Sequence, residues 1–154
     1  MTKKTDHPLT LVYEARPQGK TAGKTRRDSP IIYQSKNQKW YEAALRKIAV
    51  AKMVANGEVD EAGEVVPWEG PIETVVRIYH PIPKGLSKLR YTMARNGELR
   101  PLVKPDADNV EKSINDAMKS VIFKDDNQIV ETKRSKLFGV IPRIEVEVKR
   151  WKYE

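Results

Sequence analysis

Alternation of apolar and polar side chains in three separated segments constrains this chain more than any other feature. In "LTLVYEA" (9–15), Leu9, Leu11 and Tyr13 alternate with Thr10, Val12 and Glu14. In "PIETVVRIYHP" (71–81), Ile72, Thr74, Val76 and Ile78 share one parity, as do Ile144, Val146 and Val148 in "RIEVEVKRW" (143–151). Successive side chains of a strand point to opposite faces, so each segment reads as a strand with one buried face. A further strand with a mixed outer face is expected over "NQIVETKRSKLF" (127–138), and "GVIP" (139–142) turns it into the last strand as a hairpin.

Helical spacing appears between the strands. Residues 35–56 form a helix opened by a Ser35–Gln38 capping box, with Trp40, Ala44, Leu45, Ile48 and Ala51 recurring along it and Gly57 ending it. A second helix runs over 108–122. At about 100° per residue, Val110, Ile114, Ala117, Met118 and Val121 share one face, and Asn109, Lys112, Ser113, Asp116 and Ser120 lie opposite. The order of elements describes a mixed α/β domain of the α+β class, with a mixed sheet and two main helices. A chain of 154 residues fits one such domain, spanning 1–154. Two basic loops are expected, "RPQGKTAGKTRRDSP" (16–30) and "IPKGLSKLRYTMARNGELRP" (82–101). The acidic segment "EVDEAGEVVPWEG" (58–70) reads as an exposed loop with solvated carboxylates.

Composition limits the chemistry. There is no cysteine, and the two histidines, His7 and His80, each stand beside a proline. Acid–base and metal chemistry must therefore come from carboxylates and lysines. Twenty-nine Lys and Arg against twenty-one Asp and Glu leave a net charge of +8, which suits a polyanionic partner such as nucleic acid. No apolar run follows the basic start "MTKKTDHP", and none approaches membrane-spanning length, so a cytoplasmic protein with no membrane partner is expected.

Against that basic background, "KPDADNVEKSIN" (104–115) places two acids at the mouth of the second helix. Asp108, followed three residues later by Glu111, reads as a helix cap. The cap does not explain Asp106, two residues earlier, because two like charges held close repel unless a cation lies between them. Lys112 stands one turn beyond Asp108, and "FKDDNQ" (123–128) supplies Asp125 and Asp126. Carboxylates converging with a lysine and no histidine describe an oxygen-donor Mg²⁺ site able to act on a phosphodiester. A calcium loop is excluded because Val110 stands where an oxygen ligand is needed. No phosphate-cradling glycine-rich motif is present, so no nucleotide cofactor is expected.

"KPDADNVEKSINDAM" followed by "IFKDDNQIVETKRSK" resembles the RusA family of Holliday junction resolvases, in which K/R-P-D-x-D-N, a lysine four residues on, and a D-D-x-Q pair recur. "YQSKNQKWYEAA", "GPIE" with "VRIYHPIPK", and "GVIPRIEVEV" extend the likeness over most of the chain. The resemblance implies a small mixed α/β domain that pairs as a homodimer. It implies Asp106, Asp108 and Asp126 as catalytic acids that bind Mg²⁺, for which Mn²⁺ can substitute, and Lys112 as a catalytic lysine near the scissile phosphate. Asp125, Asp116 and Asn109 are its supporting residues. Asp116 reads better as an ion-pair partner of Lys112 than as a metal ligand, and Asn109 either caps the turn or orients a carboxylate. Lys20, Lys24, Arg26, Lys84, Lys88, Arg90 and Lys104 are the expected DNA contacts, although the opening loop lacks the tight K-x-R-P-R run of relatives. The implied activity is paired symmetric nicking of four-way DNA junctions, leaving 5′-phosphate and 3′-hydroxyl ends. Its setting is recombination, repair or phage DNA processing in a bacterial or phage-infected cell. Two other readings stay open: a nuclease for flaps and forks, and a catalytically silent junction-binding protein.

Overall fold

The computed structural model describes residues 7–19, 24–25, 32–33 and 36–152. In chain order the elements are β1 (Leu9–Tyr13), β2 (Lys24–Thr25), β3 (Ile32–Tyr33), α1 (Lys36–Ala55), β4 (Ile72–Pro81), α2 (Lys88–Arg95), α3 (Ala107–Met118), β5 (Ile129–Gly139) and β6 (Arg143–Arg150). β1, β6, β4 and β5 form one mixed sheet in that order, and β2 pairs with β3. β1 and β4 are antiparallel to β6, while β5 runs parallel to β4. The class is the expected α+β. Among the described residues no helix is long and apolar enough to cross a membrane.

The alternation seen in the sequence becomes rows of inward side chains. Register aligns Leu9, Val148 and Thr74, then Leu11, Val146 and Val76, then Tyr13, Ile144 and Ile78. Leu11, Val76 and Val146 are fully buried, each contributing about 1.5–3 kcal/mol by leaving water. α1 packs on β1 and α3, and α3 packs on β4 and β5, so the helices cover this one face. The other face is wet and carries cross-strand pairs, Arg77–Glu147 at 3.6 Å and Lys149–Glu73 at 3.0 Å, which add little stability.

Five sequence expectations change. The buried row of α1 is Tyr41, Leu45, Ala49 and Met53, whereas Trp40 is 70% exposed. α1 carries apolar residues nearly all round, with Val50 and Val54 also exposed, so periodicity alone does not select its face. Ser35 lies outside the described residues. The second basic segment is not all loop: Ser87 caps α2, its hydroxyl accepting from Arg90 N at 3.3 Å. α2 buries only Ala94, which explains why no apolar stripe announced it. β5 and β6 are not a hairpin, because β4 lies between them. The connection crosses the end of β4 closely, and a Cβ on Gly139 would meet Arg143 Nη1 at 3.0 Å and both Ile141 O and Tyr79 Cβ at 3.1 Å. α3 stops at Met118 rather than near Ile122, and Val121, Ile122 and Phe123 enter the core outside the helix. In the acidic loop Glu58 is not solvated but pairs with Arg150 at 3.4 Å, and Arg150 stacks on the buried Trp68 ring at 4.2 Å.

Candidate active site

The cap of α3 lies two residues earlier than its sequence suggests. Asp106, not Asp108, occupies the N-cap position, with extended φ −66 and ψ 149. Its carbonyl accepts from Val110 N at 3.1 Å, but its carboxylate makes no capping hydrogen bond. Asp108 falls within the first turn and is exposed, as Asp106 is. Both carboxylates therefore stand at the positive end of the helix dipole with their oxygens available. A cis peptide joins Lys104 to Pro105 just before them.

The ground beneath this turn is polar. β5 continues the inward parity with Thr132, Arg134, Lys136 and Phe138, which lie opposite Thr74, Val76, Ile78 and His80 of β4. Arg134 Nε lies 3.4 Å from Glu111 Oε2 on α3. That oxygen is buried without a hydrogen bond of good geometry, so the contact is an ion pair rather than a directed bond. Burial pushes the Glu111 carboxyl up from its ordinary 4.5, Arg134 pulls it back, and neighbouring Asp108 adds to the push. Lys136 Nζ donates to Val103 O at 2.7 Å, and Arg100 Nη1 donates to Lys136 O at 3.0 Å. These bonds pin the extended segment leading to Asp106 against β5.

A cleft of about 660 Å³ opens beside Asp106, between residues 16–19, the end of β4 and the start of α3. Arg16, Gln18, His80, Lys104 and Asn109 line it with Asp106. Gly19 seats the 16–19 segment there, because a Cβ on it would meet Pro105 Cβ at 2.8 Å and Asn109 Cβ at 3.2 Å. His80 follows the inward parity of β4 and is only 3% exposed. Burial, with Lys136 nearby, pulls its pKa below the ordinary 6.5.

Asp125 and Asp126 stand elsewhere. They begin a short 3₁₀ turn, Asp126–Gln128, in which Asp125 and Gln128 form a reciprocal capping box. Gln128 Nε2 donates to Trp68 O at 2.8 Å and Gly70 O at 3.0 Å, while its Oε1 accepts from Lys124 N at 2.7 Å and Asp125 N at 3.0 Å. That fixes the turn at the start of β4, where Ile129 pairs with Ile72. Asp106 lies at the other end of β4, near His80 and Pro81. The 12 residues of α3 run between the two ends, a length of about 18 Å at a rise near 1.5 Å per residue. Among the described residues no three His, Asp or Glu side chains converge to hold a metal.

The remaining candidates are placed as follows. Lys112 is exposed one turn along α3 from Asp108, and Asn109 is half-buried at the cleft. Asp116 lies in the last turns of α3, where its carbonyl accepts from Arg46 Nη2 at 2.8 Å. Ser113, expected on the outer face, is fully buried, with its hydroxyl 3.5 Å from Glu42 Oε1 of α1. Lys84, Lys88, Arg90 and Lys104 are exposed. Lys20, Arg26 and the side chain of Lys24 lie outside the described residues. The sequence reading missed His80 and Gln128, although the parity of β4 points to the first and the D-D-x-Q block contains the second.

Residues 10–149 match the family Endodeoxyribonuclease RusA. The chain is also similar to an uncharacterized protein of Bacillus subtilis, YqaN, with 43% identity over 82 residues. That match covers 52% of this chain and 58% of the relative, so the chain spans little more than half the relative's length.

Proposed function

The chain belongs to the endodeoxyribonuclease RusA family, and on that footing we propose that it is a metal-dependent endodeoxyribonuclease that resolves four-way DNA junctions. The observation that carries this reading is the start of α3, where two exposed carboxylates, that of Asp106 making no capping hydrogen bond, stand at a cleft edged by Arg16 and Lys104. Oxygen donors alone suit a hard divalent cation. Asp106, Asp108 and Asp126 would hold Mg²⁺, or Mn²⁺ in its place, and the ion supplies positive charge to the phosphodiester as it is attacked. Lys112, a turn from Asp108, holds a non-bridging phosphate oxygen and steadies the charge that develops there. Lys84, Lys88, Arg90 and Lys104 bind the arms through phosphates, with Lys20, Lys24 and Arg26 on the first basic segment. Asp125 holds the turn that carries Asp126, and Asn109 orients Asp106.

A homodimer is supported by the separation of the acids. With Asp126 at the far end of α3, a second copy related by a two-fold axis across this face would bring Asp126 of the partner subunit to Asp106 and Asp108. A two-fold dimer also matches the near two-fold symmetry of a four-way junction, so two equal sites make paired nicks. The products carry 5′-phosphate and 3′-hydroxyl ends that a ligase can seal. The setting is recombination, repair or phage DNA processing in the cytoplasm of a bacterial or phage-infected cell.

Four-way, flap and linear DNA incubated with Mg²⁺ test the proposal. Symmetric paired nicks in the four-way substrate are expected, lost in Asp108→Asn with binding retained. Faster cutting of flaps would replace junction resolution with a flap nuclease, and binding without nicks would leave only a junction-binding protein.

A further inference from the structure

We propose that the cleft beside Asp106 seats one unstacked nucleobase next to the bond to be cut, and that His80 reads the edge of that base. The proposal rests on the nuclease reading and adds to it a residue that sets sequence preference. Its first support is an unmet polar atom. His80 is buried to within 3% of its surface, yet its Nε2 has no hydrogen-bond partner. A buried polar group left alone costs stability, and such atoms are nearly always matched. His80 stands in the cleft wall with Nε2 just covered, so a base that enters and parts that cover can supply the match.

The second support is the chemistry of the walls. Pro17, Pro81, Pro105 and Phe138 give the cleft apolar walls. Gln18 and Asn109 add neutral amides, and the cations Arg16 and Lys104 stand in the lining with the carboxylate of Asp106. Apolar walls with neutral donors and acceptors suit a base, and Arg16 and Lys104 suit the phosphates that flank it. Burial, with Lys136 nearby, lowers the His80 pKa and so favours the neutral imidazole, which has one donor and one acceptor nitrogen. The volume of about 660 Å³ leaves room for a nucleotide. Bases at the centre of a branched junction are already poorly stacked, so withdrawing one there costs less than in a duplex.

The tautomer decides which bases fit. If Nε2 accepts, the exocyclic amines of adenine and cytosine are favoured; if it donates, the acceptors of guanine and thymine are.

The test uses the full chain and four-way junctions carrying each base in turn at the positions flanking the nick. Wild type is expected to favour some bases over others by about tenfold at one position, the size of one lost base contact. His80→Leu should abolish that preference at that position alone, lowering cutting of the favoured base to the level of the others. His80→Gln, which keeps a donor and an acceptor, should retain a preference and decides the matter if His80→Leu does not fold. A purely structural role for His80 would slow cutting of all sequences equally and overturn the proposal, as would wild type with no base preference. A second readout needs no cutting. The fluorescent adenine analogue aminopurine, placed beside the expected nick, should brighten when wild type binds. If wild type cuts no DNA the nuclease reading fails, and a dark aminopurine in the complex would separately refute the seated base.

Discussion

Two inactive chains should restore activity when mixed. Asp108→Asn removes an acid at the start of α3, and Asp126→Asn removes one at the far end. The ends lie about 18 Å apart along the helix, while ligands to Mg²⁺ must approach to about 2.1 Å, so no single chain can join them. In the proposed two-fold dimer each site would take Asp106 and Asp108 from one chain and Asp126 from the other. Random pairing of equal amounts makes about half the dimers mixed, and each mixed dimer holds one site with both substitutions and one intact site. About a quarter of all sites are then competent. The expected result is single nicking near a quarter of the wild-type rate and almost no paired cutting. Co-refolded chains acting on a cruciform plasmid give the readout, because nicked circles and linear products separate on a gel. Asp106→Asn mixed with Asp108→Asn is the control and should stay inactive, since both lie at the same end. Recovery in that control, or none in the first mixture when both variants dimerise, would refute the shared site.

Gln128→Ala removes four hydrogen bonds from the turn that carries Asp126, a loss of about 2–4 kcal/mol, and should lower the urea midpoint and cut nicking more than tenfold; an unchanged midpoint would count against this anchoring. Gly19→Ala forces a Cβ to 2.8 Å from the rigid Pro105 ring, so the 16–19 segment must move and junction cutting should fall while the helical circular dichroism signal holds. Full activity in that variant would show that the 16–19 segment plays no part in the cleft. His80 is harder to protonate folded than unfolded, so its contribution to stability is complete above its ordinary pKa of 6.5 and is lost as the pH falls through the lower folded value. Urea midpoints at about pH 7.5 and about pH 5 should therefore differ less in His80→Leu than in wild type.

The strands were legible because their signal is local. Alternation over 72–78 and 144–148 selects a parity, and the sheet buries that parity. α1 was legible as a helix but not as to its face, since Val50, Val54 and Trp40 make its outer side nearly as apolar as its inner one. α2 is short, basic and buries a single alanine, so its only signals were Ser87 before it and Gly97 after it. Pair order was out of reach for a different reason. Nothing in residues 129–150 says that β4 will slide between β5 and β6, because that choice is made by the helices filling the space above β4 and β5.

The same limit applies to the acids, and it matters most there. The block around 106–108 marks where a helix starts, and the block around 125–128 marks where a strand is about to begin. Their spacing does not say whether they meet. Seven residues, 119–125, separate the end of α3 from the turn, and extended at about 3.3 Å each they could reach back along the whole helix. They do not, because Val121, Ile122 and Phe123 are buried in the core and Ile122 O accepts from Trp68 N at 2.7 Å. Gln128 then ties the turn to Trp68 and Gly70. The three apolar residues that complete the core thus keep Asp126 away from Asp106. The packing that makes one chain stable leaves these acids divided, and in the proposed dimer a second chain would close the set.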